Sequence, residues 1–208
     1  MGQKKENRKK QEKDRNRQEV ISCAIAPFYK KGYRGVTVPE IAAAVEFGVG
    51  TLYRLFPSGK EEIFHAMMEI VVRAFEKEIE KYMTGAENEV DKVRRYIRAA
   101  AAVYEAYPRQ MVMYVRDTAG VGLDLGFGLT KELAFRYRAC AAHVEQALIK
   151  GQEKGEFTAL PPAMSMMCLR SAINGFFMNH LENEEKKTIS ETVGLIETYF
   201  FNGVLKKN

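Results

Sequence analysis

The sequence predicts an all-α protein of about nine helices, on three observations. Apolar residues recur three and four positions apart through most of the chain. No stretch sustains the apolar–polar alternation of a half-buried strand. Glycine, proline and capping sequences break the helical runs at intervals.

The elements follow in order. Val20, Ile21, Ala24, Ile25 and Phe28 mark one apolar face, and Gly32 reads as the C-terminal glycine that ends this helix. Thr37-Val38-Pro39-Glu40 reads as a capping box, with Pro39 in the first turn, where a missing N–H costs nothing. A short helix over about 38–45 follows. Phe47-Gly48 breaks the chain, and a second short helix covers about 49–55. Ser58-Gly59-Lys60-Glu61 reads as a second capping box, opening a long helix with Ile63, Met67, Ile70, Val71, Ala74 and Ile79 on its apolar side. Gly85, Pro108, the glycine-rich stretch 120–128, Gly151 to Pro162 and 182–188 then separate helical patterns near 89–106, 108–118, 130–150, 162–181 and 189–205.

Composition narrows the class. Of 208 residues, 46% are hydrophobic, enough for a packed core. No apolar run of about 18 residues exists to cross a membrane, and the charged start is unlike a secretory signal. The expected location is therefore cytoplasmic, with no membrane partner. Cys23, Cys140 and Cys168 are scattered among apolar residues, so buried reduced thiols are expected rather than disulfides or a metal knuckle. The net charge of +5 is unevenly placed. Residues 1–18 hold eight basic side chains against three acids, an excess equal to that of the whole chain. A basic head on a slightly acidic body suggests a polyanion partner at the N-terminal end.

Residues 17–64 carry the most information. Two short helices joined by a tight turn, after a longer one, have the pattern of a helix-turn-helix, whose second helix enters the DNA major groove. In that second helix Leu52, Leu55 and Phe56 fit an inward face. Val49, Gly50, Thr51, Tyr53 and Arg54 remain for the outward side. The string Ala26-x-Phe28-x-x-x-Gly32-Tyr33-x-x-Val36-Thr37-Val38-x-x-Ile41-Ala42, with Gly50-Thr51-Leu52-Tyr53-x-x-Phe56-Pro57-Ser58 and Lys60-Glu61-Glu62, resembles the tetracycline-repressor (TetR/AcrR) family of bacterial transcriptional regulators. The resemblance covers about 48 residues. The chain departs from the family at Glu46, where glycine is usual, and at Gly48, where serine or threonine is usual. Gly59 is one residue more than the common spacing.

The resemblance implies a division into a basic N-terminal arm (1–16), a helix-turn-helix DNA-binding domain (17–62) and a ligand-binding and dimerisation domain (63–208). It implies a homodimer on a palindromic double-stranded DNA operator, since twofold symmetry in the protein mirrors that of the site. Thr37, Thr51, Tyr53 and Lys60 are then expected on phosphates, with Arg34 as a further contact. Arg54 is the candidate for a guanine, and Val49 with the Thr51 methyl for thymine methyls. Gly50 lets the backbone approach. The arm is expected along the backbone or in a flanking minor groove.

The resemblance also implies a pocket in the body for a small, apolar or amphipathic effector, here among Tyr104, Tyr107, Met111, Met113, Tyr114, Phe127, Phe135 and Tyr137. Arg116, His143, Arg170 and Asn174 are candidates to orient its polar end. The last two helices are apolar on more than one side, and the resemblance implies that they form the dimer interface, with Phe176, Phe177, Tyr199 and Phe200 expected in it. The implied mechanism is a population shift, in which effector prefers one setting of the two DNA heads and releases a repressor. The long helix from Ser58 is the expected lever.

An enzyme is the rival class, and no catalytic, cofactor or metal site is expected. The glycines at 120–128 lack the Gly-Lys-Ser/Thr ending of a phosphate loop. His65, His143 and His180 have no metal-ligand spacing, and no Gly-x-Ser-x-Gly elbow occurs. A regulator without effector, acting as an activator or through a protein partner, is the nearer alternative.

Overall fold

Nine α-helices form among the described residues, which in this computed structural model are 2–118, 129–182 and 187–205. They are α1 (Gly2–Gly35), α2 (Val38–Ala44), α3 (Val49–Leu55), α4 (Lys60–Met83), α5 (Glu89–Ala106), α6 (Pro108–Thr118), α7 (Lys131–Glu153), α8 (Pro162–Glu182) and α9 (Ile189–Val204). The remaining regular feature is an isolated antiparallel bridge between Phe157 and Leu205. Phe127 and the glycine-rich stretch 120–128 lie outside the described residues.

Local sequence explains the boundaries. The Thr37 backbone N–H and hydroxyl both donate to the Glu40 carboxylate, at 2.8 and 2.9 Å, so the first capping box forms. Thr188 and Glu191 build another at the start of α9. Asn88 and Thr130 cap α5 and α7 with their side chains. The Ser58 box does not form. Gly59 is the cap residue of α4, at φ +63°, and Glu62 rather than Glu61 reaches back to the Ser58 N–H at 3.3 Å. Glycine is required there on two counts. The backbone is left-handed, and a Cβ would sit 3.2 Å from Val38 and 3.3 Å from the Tyr53 ring.

The basic arm is continuous with the first helix. Between Gly2 and Pro27 there is neither glycine nor proline, and the Lys, Arg, Glu and Gln that fill the arm are strong helix formers. Gly32, at φ +70°, breaks the helical path as expected, and a last turn reaches Gly35.

The first three helices and the start of α4 enclose a small core of Val20, Ala24, Phe28, Val36, Ile41, Leu52, Phe56 and Ile63, each fully buried. Phe28 and Phe64 meet edge-to-face at 5.6 Å. From there α4 runs into the body, burying Met67, Met68, Val71, Val72, Phe75 and Ile79 against α5 and α7. α5 is central, packed against α4, α6, α7, α8 and α9. Its sequence suits this, because Ala99, Ala100 and Ala101 let neighbours come close while Tyr96, Ile97 and Tyr104 fill the space between them. The buried Glu89 carboxylate is held by Lys92 and Lys154, each at 2.9 Å. At the far end, Phe157 lies over Gly151, and Thr158 N–H donates to Val204 at 2.7 Å, tying the α7–α8 connection to α9.

Candidate nucleic-acid interface and effector cavity

The candidate DNA-facing surface is built from α3. Leu52 and Leu55 anchor the helix in the core, which turns Val49, Gly50, Tyr53 and Arg54 to solvent, with Thr51 half-buried. Val49 is 39% and Tyr53 48% exposed, unusual for large apolar side chains and suited to a face that meets DNA. The Tyr53 ring leans on Gly59 and so is held by the start of α4.

The turn before α3 rests on Glu46, the one non-glycine residue with positive φ (+57°) among those described. This accounts for the glycine usual there in the family. A side chain in left-handed backbone costs roughly 1–2 kcal/mol, and Glu46 carries that cost.

Arg17 was not singled out by the sequence. Its guanidinium stacks on Phe56 at 4.1 Å, donates to the Leu55 carbonyl and pairs with Glu62 at 3.0 Å. It thus fastens the C-terminus of α3 to α1 and α4. Nothing in a run of basic residues separates this arginine from its neighbours, since its partners are 38 and 45 positions away.

Two expected phosphate ligands have other partners. The Lys60 ammonium donates to the carbonyls of Tyr33 (3.0 Å), Arg34 (3.4 Å) and Val36 (2.9 Å). It lies 4.9 Å from the Tyr33 ring centre. It caps the end of α1 instead of pointing outward, because the start of α4 lies beside those orphan carbonyls. Thr37 directs both of its donors to Glu40. Arg34 stays exposed beside this junction.

The body contains a cavity of about 30 Å³ between α4, α5, α6, α7 and α8. Tyr104, Met111, Arg170 and Asn174 line it, as do Tyr114 and Tyr137. Met68 and Phe75 of α4 and Tyr96 of α5 also line it. Tyr104 donates to the Asn174 amide oxygen at 2.7 Å and stacks on Phe177 at 4.7 Å. Burial pushes the phenols of Tyr96 and Tyr104 well up, and that of Tyr137 up to about 12.

Other expected positions fall elsewhere. His143 is exposed on α7 and lines a surface groove with Met83 and Lys92. Phe135 is 70% exposed and Met113 fully buried, and neither lines the cavity, nor does Tyr107. Arg116 joins head to body. It donates to the carbonyls of Tyr29 (3.0 Å) and Phe28 (3.1 Å), next to Asp117, which takes the Tyr33 N–H. α6 therefore connects the cavity wall, through Met111 and Tyr114, to the break in α1.

The expected interface residues also divide. Phe177 and Phe200 are buried within this chain, against Tyr104 and Phe201 respectively. Their helices turn those edges toward α5. Phe176 is half-buried and Tyr199 is 68% exposed, with ring centres 5.6 Å apart on the outer face of α8 and α9. Of the cysteines, Cys140 is buried and its thiol is pushed up to about 11 by burial, Cys23 is half-buried, and Cys168 is exposed on α8, contrary to expectation. No helix among the described residues is long and apolar enough to cross a membrane.

Comparison with known proteins agrees with this architecture. Residues 20–67 match the family described as "Bacterial regulatory proteins, tetR family". The HTH-type transcriptional regulator HbdR of Aromatoleum sp. (strain CIB) is 26% identical over 111 residues, 53% of this chain and 48% of HbdR. The chain thus spans about half the length of the curated relative it matches. The MbdR regulator from Azoarcus sp. CIB shares the fold with a TM-score of 0.71 at 23% identity, over 91% of this chain and 98% of that one. AibR, solved in complex with isovaleryl coenzyme A and operator DNA, has a TM-score of 0.69 at 16% identity, over 88% and 96%. Residues 20–67 thus carry the helix-turn-helix unit of the tetR family of bacterial regulatory proteins, and the chain as a whole shares the fold of the MbdR and AibR regulators.

Proposed function

We propose that the protein is a repressor that binds a palindromic operator as a homodimer and is released by a small, largely apolar effector. The observation that carries this is the α3 face. Val49, Gly50, Tyr53 and Arg54 stand in solvent on a base of buried leucines, as a helix reading a major groove requires. In this reading residues 17–62 form the DNA-binding unit and 63–208 the effector and dimer unit. Arg54 reads a guanine, Val49 and Thr51 meet thymine methyls, and Tyr53 and Arg34 hold phosphates. The arm, residues 1–16, helical from Gly2, extends the basic surface along flanking DNA.

The outer face of α8 and α9 supports dimerisation. Phe176 and Tyr199 form an aromatic patch there, and a Cβ at Gly175 or Gly194 would meet open space, so a second copy can approach the backbone closely. AibR, captured with both ligand and operator, is a precedent for control by a small molecule in this fold. α4 and α6 both run from the cavity wall to the head. An effector that favours one setting of that joint shifts the population of heads able to span an operator.

The test is fluorescence anisotropy against DNA from upstream of the protein's own gene, with scrambled DNA as control, at two salt concentrations. Specific sites are typically about 10³–10⁷ tighter than nonspecific ones. A gap of that order, at one dimer per palindrome, supports the proposal. Absence of binding to either DNA at low salt overturns it.

A further inference from the structure

Arg17 stands apart from the basic residues around it. The described basic side chains before it are exposed, whereas Arg17 is half-buried and already bonded. Its guanidinium donates to the Leu55 carbonyl, one of those that α3 leaves without a helical partner at its C-terminus. It also pairs with Glu62 Oε1 at 3.0 Å. The other Glu62 oxygen accepts the Ser58 N–H at 3.3 Å. One ion pair therefore holds the turn from α3 into α4 at both of its ends. Phe56, fully buried in that turn, supplies the ring on which the guanidinium stacks at 4.1 Å.

The N-terminal end of α3 has no equivalent hold. Gly48 caps it without a side chain, and the turn before it contains the left-handed Glu46. A helix of seven residues takes its angle from its two buried leucines and from the end that is fastened. Tyr53 and Arg54 belong to that fastened last turn. An ion pair this near the surface adds little to stability. A planar fork engaged on three sides restricts orientation instead. Bidentate reading of a base edge depends on orientation far more than attraction to a phosphate does.

We propose that Arg17 is a positioning residue for sequence reading: it sets the angle at which α3 presents Arg54 to the groove, and its charge, held by Glu62, does not serve a phosphate. The inference rests on the DNA-binding regulator proposed above.

Operator is first selected by the wild-type full chain from random duplex DNA. Kd for operator and for a scrambled duplex is then measured over a salt series. The proteins compared are the wild type, Arg17→Met, Arg17→Lys and the charge-neutral pair Arg17→Met/Glu62→Gln. The preference for operator over scrambled DNA is expected to fall about 10-fold in Arg17→Met and in the pair, on the order of one mismatched base. The salt slope of the pair is expected to match the wild type, since no phosphate contact is lost. Arg17→Lys, which keeps the charge and a donor, retains part of the preference. An unchanged preference in folded Arg17→Met, with or without a fall in Tm, overturns the inference, because a purely structural role moves Tm alone. Equal weakening on both duplexes with a salt slope reduced by about 1 also overturns it, being the signature of a phosphate contact. If Arg17→Met does not fold, Glu62→Ala decides: a lower preference supports the inference and an unchanged one overturns it. A wild type that selects no sequence overturns the regulator reading and this inference with it, whereas a failure confined to the variants leaves that reading standing.

Discussion

The Asp117 carboxylate at the end of α6 accepts the backbone N–H of Tyr33 at 2.8 Å, immediately after α1 breaks at Gly32. Arg116 beside it takes the carbonyls of Phe28 and Tyr29. One short segment of the body thus satisfies both donors and acceptors freed where the head's first helix ends. The same α6 carries Met111 and Tyr114 into the cavity. Asp117→Ala and Arg116→Ala are expected to leave effector binding intact and to weaken its effect on DNA. The coupling lost is about 0.5–2 kcal/mol, roughly 2- to 30-fold in the effector-induced change of operator Kd. Anisotropy titrations with and without effector measure it.

Arg54→Ala is expected to cost about 1–3 kcal/mol in operator affinity and to relax preference at a single base pair, since it removes a base contact. Arg34→Ala is expected to weaken all sequences alike and to reduce the salt slope by about 1, since it removes a phosphate contact. Binding-site selection with each variant separates the two effects.

Glu46→Gly relieves a left-handed side-chain strain of roughly 1–2 kcal/mol and adds about 0.5–1 kcal/mol of chain entropy cost. The net gain is about 0–1.5 kcal/mol, or a rise of up to about 3–6 °C in Tm. Removing a carboxylate beside α3 is also expected to tighten DNA binding, more at low salt than at high. Calorimetry and a salt series check the two halves independently.

Gly151→Ala places a Cβ 2.3 Å from the buried Phe157 ring. Overpacking of this kind costs about 1–3 kcal/mol, against a gain in helix propensity of at most about 1 kcal/mol. Denaturant unfolding is expected to show a lower midpoint with an unchanged slope.

Glu40 supplies the pH dependence. Hydrogen bonding from Lys31, then from the Thr37 backbone and hydroxyl, lowers its carboxyl from 4.5 to about 2. A depressed acid stabilises the fold above its unfolded pKa and loses that contribution as pH falls through the folded value. The stability gap between the wild type and Glu40→Gln is therefore expected to be full above pH 4.5 and to close toward pH 2. Urea midpoints across that window test it.

The sequence by itself determined the helices and the reading face. Capping pairs such as Thr37–Glu40, the glycine at 32 and the 3.6-residue period act over four residues or fewer, so they mark α2 to α9 to within a few positions. The same period told Leu52 and Leu55 apart from Tyr53 and Arg54. Tertiary structure decided everything that depends on which helix lies beside which. Lys60 became a cap for α1, and Arg116 became a joint between α6 and α1. Phe177 and Phe200 turned inward while Tyr199 turned out, although all three are aromatic and sit on helices apolar on several sides. Periodicity names the apolar faces of such a helix but not their partners. Those are set by packing between segments tens of residues apart, as in the 70 residues that separate Tyr104 from Asn174.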